Sequence, residues 1–359
     1  MSQGLPANWS RKLLALFVVC MFVYLFASFP NYAEDPVFQV TSFPRRADAT
    51  APTYPYNRSS YSIQLNGTTF RGKSLAQGLA LLKKFKRRPI FAPKQLNPND
   101  VTKGLAFVTY SSANHFNECR DAVATTQTLF PRHPIYFYDL GLSDYQIEEL
   151  NSWCDVHYVF FNFSNYPEHV KKLNTYAFKP MLIQDMLNKH STFFWMDASF
   201  RFLRSDISAV YEQALSNGGI VLFNMGFKIT AMTHPHMFKY IPGNLTLLGA
   251  TPAIGGDAFV RNTPEVYEKV LHWWFLCALV KDCIAPAGAE KICPETNPSS
   301  KSEYRGCHRF DQSALNILLA NYHGYNLSKY LARPEDKYVI FVRRISKWHV
   351  LKTCTSTIH

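Results

Sequence analysis

In the run Phe193-Phe-Trp-Met-Asp197-Ala-Ser199-Phe-Arg201, a carboxylate closes a continuous apolar stretch. Such a stretch reads as a buried strand, and ligands of an α/β sheet bind beyond the carboxyl ends of its strands. A carboxylate in that place can coordinate a divalent cation and so neutralise a diphosphate leaving group. The plainer reading has Asp197 capping a helix or pairing with Arg201 or Arg204. A second candidate, Gly67-Thr-Thr-Phe-Arg-Gly72-Lys73-Ser74, matches the phosphate-loop pattern in full. Against it, Tyr61–Leu65 alternates where a strand feeding such a loop should be apolar throughout, and Asn66 is a glycosylation sequon at its edge. A third candidate is His308-Arg309 beside Asp311, suited to phosphate or an acceptor, or to a solvated helix start.

The surrounding pattern says what must position these groups. Leu105–Tyr110, Pro134–Tyr138, Val156–Phe161 and Phe193–Met196 read as strands. Between them Asn114–Leu129, Asp144–Trp153 (with Ser143 as N-cap) and Tyr176–Asn188 carry helical spacing. This alternation predicts an α/β sheet with right-handed crossovers. Its strand ends direct attention to Thr109–Ser112, Asp139 and Asp197–Ser199. Farther on, Gly219–Phe223 and Tyr338–Val342 read as strands, and Pro264–Val280 and 310–321 as helices.

Leu13–Phe29 is uncharged, follows Arg11-Lys12 and precedes Glu34-Asp35. That length just spans a bilayer, and the charge order puts the N-terminus in the cytosol. No good cleavage site follows, so the segment reads as an uncleaved signal anchor. Residues 1–12 then form a cytosolic tail, 13–29 the transmembrane helix, 30–100 a lumenal stem and 101–359 the lumenal domain. A short span suits the Golgi or endoplasmic reticulum. Sequons at Asn57, Asn66, Asn162, Asn244 and Asn326 and seven lumenal cysteines agree with that compartment. No C-x-x-C pair suggests zinc. Cys277, Cys283, Cys293 and Cys307 are therefore expected to form two disulfides, in any of three pairings. Cys119 with Cys154 is expected as another, leaving Cys354 odd.

Of 359 residues, 47% are hydrophobic and 18% charged, which excludes a disordered chain. The net charge of +12 suits an anionic partner, whether a sugar nucleotide, an acidic glycan, a phospholipid surface or nucleic acid.

The run ending Trp195-Met-Asp197-Ala-Ser199 resembles the aspartate-bearing strand end of GT-A glycosyltransferases, especially the glycogenin-like families. Phe107-Val-Thr-Tyr-Ser-Ser-Ala-Asn114 resembles their first strand and nucleotide-binding turn. Gly255-Gly-Asp-Ala-Phe-Val-Arg-Asn262 resembles their glycine-containing acceptor-side strand, and Asp311-Gln312-Ser-Ala-Leu-Asn316 their helix start. The order of these motifs over about residues 104–343 is similar as well. The whole is also similar to an uncharacterised family of type II, single-anchor proteins expanded in invertebrates.

The resemblance implies a GT-A-like, Rossmann-like mixed sheet flanked by helices. It implies transfer of a sugar from a nucleotide donor to a glycan, protein or lipid acceptor, with no nucleic-acid partner. Asp197 would hold the donor diphosphate through Mn2+ or Mg2+, with His349 as a further ligand. Ser199 departs from the pattern, since it replaces the second acid and a serine oxygen is a poor metal ligand. Lys179 and Arg201 would then meet the diphosphate directly. Thr109, Tyr110 and Ser111 would contact the nucleoside, with Ser199 and Gln312 also on the donor side. Asp257 or Asp311 would serve the acceptor as base. Ser199 favours an alternative: a non-catalytic, glycan-binding or adaptor protein on a degenerate transferase fold. A phosphate-loop sulfotransferase or kinase would rest on Gly67–Ser74.

Overall fold

The computed structural model describes residues 57–85, 89–93, 104–223, 225–293, 302–333, 339–341 and 350–354. The chain divides into two compact units, Met1–Pro52 and Thr53–His359, of which the first lies outside the described residues. So does the expected anchor Leu13–Phe29. Among the described residues no helix is long and apolar enough to cross a membrane.

The second unit opens with a hairpin, β1 (Ser62–Leu65) and β2 (Thr68–Arg71), paired antiparallel around Asn66-Gly67. Both tip residues have positive φ (48° and 77°), as the tight turns that match strand twist require. This overturns the phosphate-loop reading: β2 runs straight through the residues that would have cradled phosphate. Gly72 packs where a Cβ would lie 2.0 Å from the Tyr240 carbonyl oxygen. The helix that follows, Ala76–Leu82, buries Leu79 and Leu82 in the main core. The folded body thus already includes residues 57–85, well before the expected boundary at 101.

The centre is a six-stranded sheet. In chain order its strands are β3 (Ala106–Ser111), β4 (Ile135–Asp139), β5 (Val156–Phe160) and β6 (Thr192–Trp195), and then, after β7 (Phe200–Phe202), β8 (Ile220–Leu222). Next come β9 (Met225–Lys228) and β10 (Pro252–Ile254), which pair with each other, and β11 (Ala258–Arg261), which returns to the sheet. The last strand, β12 (Val339–Phe341), pairs with β7. The sheet order is β5-β4-β3-β6-β11-β8. β3 to β6 are mutually parallel, and β11 is antiparallel to both its neighbours.

Strand period 2 sorts the side chains to two faces. Ala106, Val108, Tyr110, Phe193 and Trp195 join one core with helices Phe178–Leu187, His272–Leu279 and Phe310–Tyr322. Leu105, Phe107, Phe194 and Met196 join the other with helices Phe116–Leu129 and Ser208–Asn217. Burial on both faces explains the unbroken apolar strands, each large side chain contributing about 1.5–3 kcal/mol. Ser143 caps Asp144–Asn151 in a full capping box with Gln146. The expected helix over 264–280 is interrupted by a π-helical turn, Tyr267–Leu271.

Among the described residues three disulfides are formed: Cys154–Cys354, Cys277–Cys283 and Cys293–Cys307. The expected Cys119–Cys154 bridge is corrected. Cys119 is a free thiol inside the second core, and burial pushes its pKa up to about 12. Cys154 instead meets the C-terminal segment, where Trp153 bridges Thr353 and Lys352 docks on Gln127. Non-reducing peptide mapping should recover the Cys154–Cys354 link and alkylate Cys119 only after unfolding. Cys354→Ser should cost roughly 2–4 kcal/mol of stability, since the bridge closes a loop of 200 residues. A Cys119–Cys154 peptide would contradict this arrangement.

Candidate active site

The chain runs outward from β3 through β4 to β5, then returns to β6 on the other side of β3. That reversal makes the carboxyl ends of β3 and β6 the sheet's switch point, the place where α/β sheets bind ligands. Tyr110 lies near the end of β3 and Asp197 two residues beyond β6. The Tyr110 hydroxyl donates to Asp197 Oδ1. Antiparallel pairing of Ala258 with Trp195 brings Asp257 alongside, where its Oδ1 accepts the Asp197 backbone N–H at 2.6 Å.

Lys179 comes from the first turn of the Phe178–Leu187 helix. Its ammonium donates to both Asp197 oxygens, at 2.8 and 3.0 Å. It sits 4.9–5.4 Å from the ring centroids of Tyr110, Tyr176 and Trp195, an aromatic cage that favours a cation. Lys179 is 5% exposed, whereas the Asp197 side chain keeps 33%, so the carboxylate is the member of the pair that faces solvent. Tyr176 adopts φ 52°, a strained conformation for a bulky residue and one that collects at functional sites.

Asp311 arrives from the far half of the chain, in the first turn of Phe310–Tyr322. Asn316 both donates to and accepts from the Ile254 backbone, Gln312 donates to the same carbonyl, and Trp274 Nε1 donates to the Asp311 carbonyl. These bonds fix Asp311 at the cluster. Its Oδ2 is buried and has no hydrogen-bond partner among the described residues. Gly256 supplies a bare wall: a Cβ there would lie 3.5 Å from Lys179 Nζ and 4.0 Å from Asp311 Oδ2.

Three acids therefore converge on one caged ammonium. Burial raises the pKa of Asp257 and of Asp311 to about 6, against the opposing pull of Lys179. Asp197 is also raised, by desolvation and by the neighbouring charges of Asp257 and Asp311. Burial thus holds both Asp257 and Asp311 above the ordinary carboxylate range, the direction of shift that collects at functional sites.

Other expected residues stand apart. The Arg201 guanidinium is fully buried, donating to the Ala198, Phe200 and Glu118 carbonyls and facing Asp121. It braces the turn after β6 and has no face left for a diphosphate. Thr109 is buried against Cys119, and Ser111 donates to its neighbour's carbonyl; of the three β3 residues only Tyr110 reaches the cluster. Asp139 caps its own loop through the Gly141 and Leu142 N–H groups. Gln312 is a strut for β10. Ser199 lies in the turn after Asp197. His308 is neutral and structural, its pKa pushed down to about 4 by burial, with Nδ1 accepting from the His234 N–H.

A divalent cation fits this donor set poorly. Lys179 already engages both Asp197 oxygens, Ser199 supplies no second carboxylate, and among the described residues no three His, Cys, Asp or Glu side chains converge as ligands. His349 lies outside the described residues. A separate cavity of about 450 Å³, lined by Arg58, Tyr61, Gln64, Trp273 and Asn321 among others, includes none of the three acids. The convergent charges, not that cavity, mark the site.

A family model described as a protein of unknown function (DUF1647) matches residues 57–184. No curated protein matches the chain. Among solved structures, the chain is similar to the bifunctional glycosyltransferase WbbM, with 12% identity, TM-score 0.38, and coverage of 60% of this chain and 37% of that one. It is also similar to mouse xyloside xylosyltransferase 1, with 12% identity, TM-score 0.37, and coverage of 64% and 84%. For the galactosyltransferase LgtC the identity is 10%, the TM-score 0.33, and the coverage 60% and 70%. The chain spans little more than a third of the length of WbbM.

Sequence reasoning missed Tyr176, Trp195 and Gly256. No composition signal announces a left-handed tyrosine. Lys179 was expected at the diphosphate only through the resemblance to GT-A enzymes.

Proposed function

We propose that this protein is a glycosyltransferase that moves a sugar from a nucleotide donor to a hydroxyl acceptor on a glycan, protein or lipid. The observation that carries the reading is Asp311. A buried carboxylate with an unpartnered oxygen faces a glycine wall at the sheet's switch point, beside a caged lysine.

In the proposed step the acceptor oxygen bonds to the anomeric carbon while the bond from that carbon to the diphosphate oxygen breaks. Asp311 takes the acceptor's proton, and Lys179 stabilises the departing diphosphate. Asp257 holds the Asp197 backbone, and Asp197 orients Lys179. Were a Mn2+ or Mg2+ ion bound, it would supply the same leaving-group charge; no step is assigned to it. The lack of a second acid at Ser199 favours the other reading, a glycan-binding protein without turnover.

A lumenal setting for this unit, behind a type II anchor in the Golgi or endoplasmic reticulum, belongs to the same proposal. Three disulfides support an oxidising compartment. Asn57, Asn66, Asn162 and Asn326 are exposed and Asn244 partly so, which leaves room for glycans.

Gly256 offers a steric test. Gly256→Ala places its Cβ at ordinary contact distances and should leave donor affinity within roughly threefold of wild type. Gly256→Val should weaken it by at least about a hundredfold by filling the space before Asp311. Lys73→Ala should change nothing. Titration of nucleotide sugars decides; unimpaired binding by Gly256→Val would move the donor site elsewhere.

A further inference from the structure

Asp197 has a second cationic neighbour. Lys291 Nζ lies 4.9 Å from the centroid of the Tyr176 ring, and Lys179 Nζ lies 4.9 Å from the same centroid. One aromatic ring is thus shared by two ammoniums, one buried and fixed, the other exposed. Lys291 also acts on Asp197 electrostatically, favouring its ionised form.

The backbone of Lys291 is not left to wander. Glu290, just before it, accepts the His308 N–H at 2.6 Å. Cys293, just after it, is bonded to Cys307. Both tethers lead to the segment that three residues later carries Asp311. The cystine loop therefore holds Lys291 in fixed relation to the acid cluster, while its long side chain remains free to follow a ligand.

The charges suggest what that ligand is. A diphosphate brought beside three carboxylates needs compensation. Glycosyltransferases that use a divalent cation provide it as two positive charges, but the described residues do not fit such an ion. Two lysines supply the same charge with no coordination geometry to satisfy: Lys291 brings three N–H donors from the exposed side, while Lys179 adds its charge from its place on Asp197.

We infer that Lys291 and Lys179, astride Tyr176, form a clamp that holds the diphosphate of the nucleotide donor without a divalent cation. This rests on the donor site proposed above. Lys179 positions the diphosphate from below, and Lys291 closes over it from the solvent side. Tyr176 is the spacer that keeps the two ammoniums on one site.

The test is calorimetric titration of the full chain with UDP, GDP and inorganic pyrophosphate, and with uridine and guanosine, in EDTA and in MnCl2. Wild type should bind at least one diphosphate with Kd values in EDTA and in Mn2+ that agree within roughly twofold. Lys291→Gln should weaken that Kd by about tenfold or more, Lys291→Arg by less than about threefold, and affinity for the nucleoside should not move. Lys291 is exposed, so both variants should keep the wild-type Tm. Tightening of wild-type binding by roughly tenfold in Mn2+, or unchanged binding by Lys291→Gln, would overturn the clamp while leaving the donor site standing. Failure of wild type to bind any diphosphate in either condition would overturn the donor site itself.

Discussion

Asp311→Asn should gain stability and lose turnover in the same molecule. Burial raises the Asp311 pKa from 3.8 to about 6. The folded state therefore binds this proton more tightly than the unfolded state does. The stability it contributes is full below pH ~4 and is lost as pH rises through about 6, so at pH 7.5 the ionised group is a burden. Asparagine keeps the shape and never ionises. We expect a gain of roughly 1–3 kcal/mol at pH 7.5, a Tm higher by roughly 2–8 °C, and almost no gain at pH 4. Turnover of the nucleotide sugar should fall by about 10²–10⁴, the usual worth of a positioned acid or base, with donor Kd little changed. Thermal unfolding at both pH values and single-turnover kinetics check this. A variant less stable than wild type at pH 7.5 would show that the ionised carboxylate is well satisfied in the fold.

Lys179→Met should have the opposite sign. The lysine is almost fully buried and bonds both oxygens of Asp197. Methionine has much the same length and fits the aromatic cage, but it leaves the three acids without their cation. Removing one partner of a buried ion pair typically costs about 3–5 kcal/mol, because the remaining charge stays desolvated. The loss should be greatest at pH 8, where Asp257 and Asp311 are ionised. It should shrink at pH 5, below their values of about 6, where they retain protons. Adding Asp311→Asn should recover part of the loss at pH 8. Denaturant unfolding at the two pH values measures all three quantities. A pH-independent loss would mean that Lys179 acts by packing alone.

These two residues show how far the sequence could be read. Apolar runs fixed β3 to β6 to within about two residues; β3 and β6, buried along their whole length, carry the plainest composition. Ser143 announced a helix start as its N-cap, and the structure adds Gln146 to complete the capping box. Asp197 was legible from strand-end logic, and Asp257 and Asp311 from motif order. What failed was long-range. Nothing near Cys154 signals a partner 200 residues away; the pairing follows from docking of the C-terminal segment on Gln127. Arg201 looked free to bind phosphate, yet the turn after β6 folds it inward onto carbonyl oxygens. The Gly67–Ser74 motif matched in letters, but Asn66-Gly67 made a hairpin of it. Lys291 lies in a loop without regular pattern, and the Glu290 and Cys293 tethers help to bring it to Tyr176.

Those tethers also explain why the cystine loop and the acid cluster should respond together. Cys307 and His308 lie immediately before Arg309, the N-cap of the Phe310–Tyr322 helix. His308 is bonded to Glu290, His234 and Ile284. The loop thus helps to set the start of the helix that delivers Asp311.

The most direct measurement is release of nucleoside diphosphate by the full chain from a panel of nucleotide sugars. It should be followed with and without Mn2+, for wild type and Asp311→Asn side by side. Wild type should release diphosphate from at least one donor, and the release should fall by about a hundredfold or more in Asp311→Asn, which still binds that donor. Binding without release by wild type would contradict catalysis and leave a glycan- or nucleotide-binding protein. Equal release by both proteins would remove Asp311 from the mechanism.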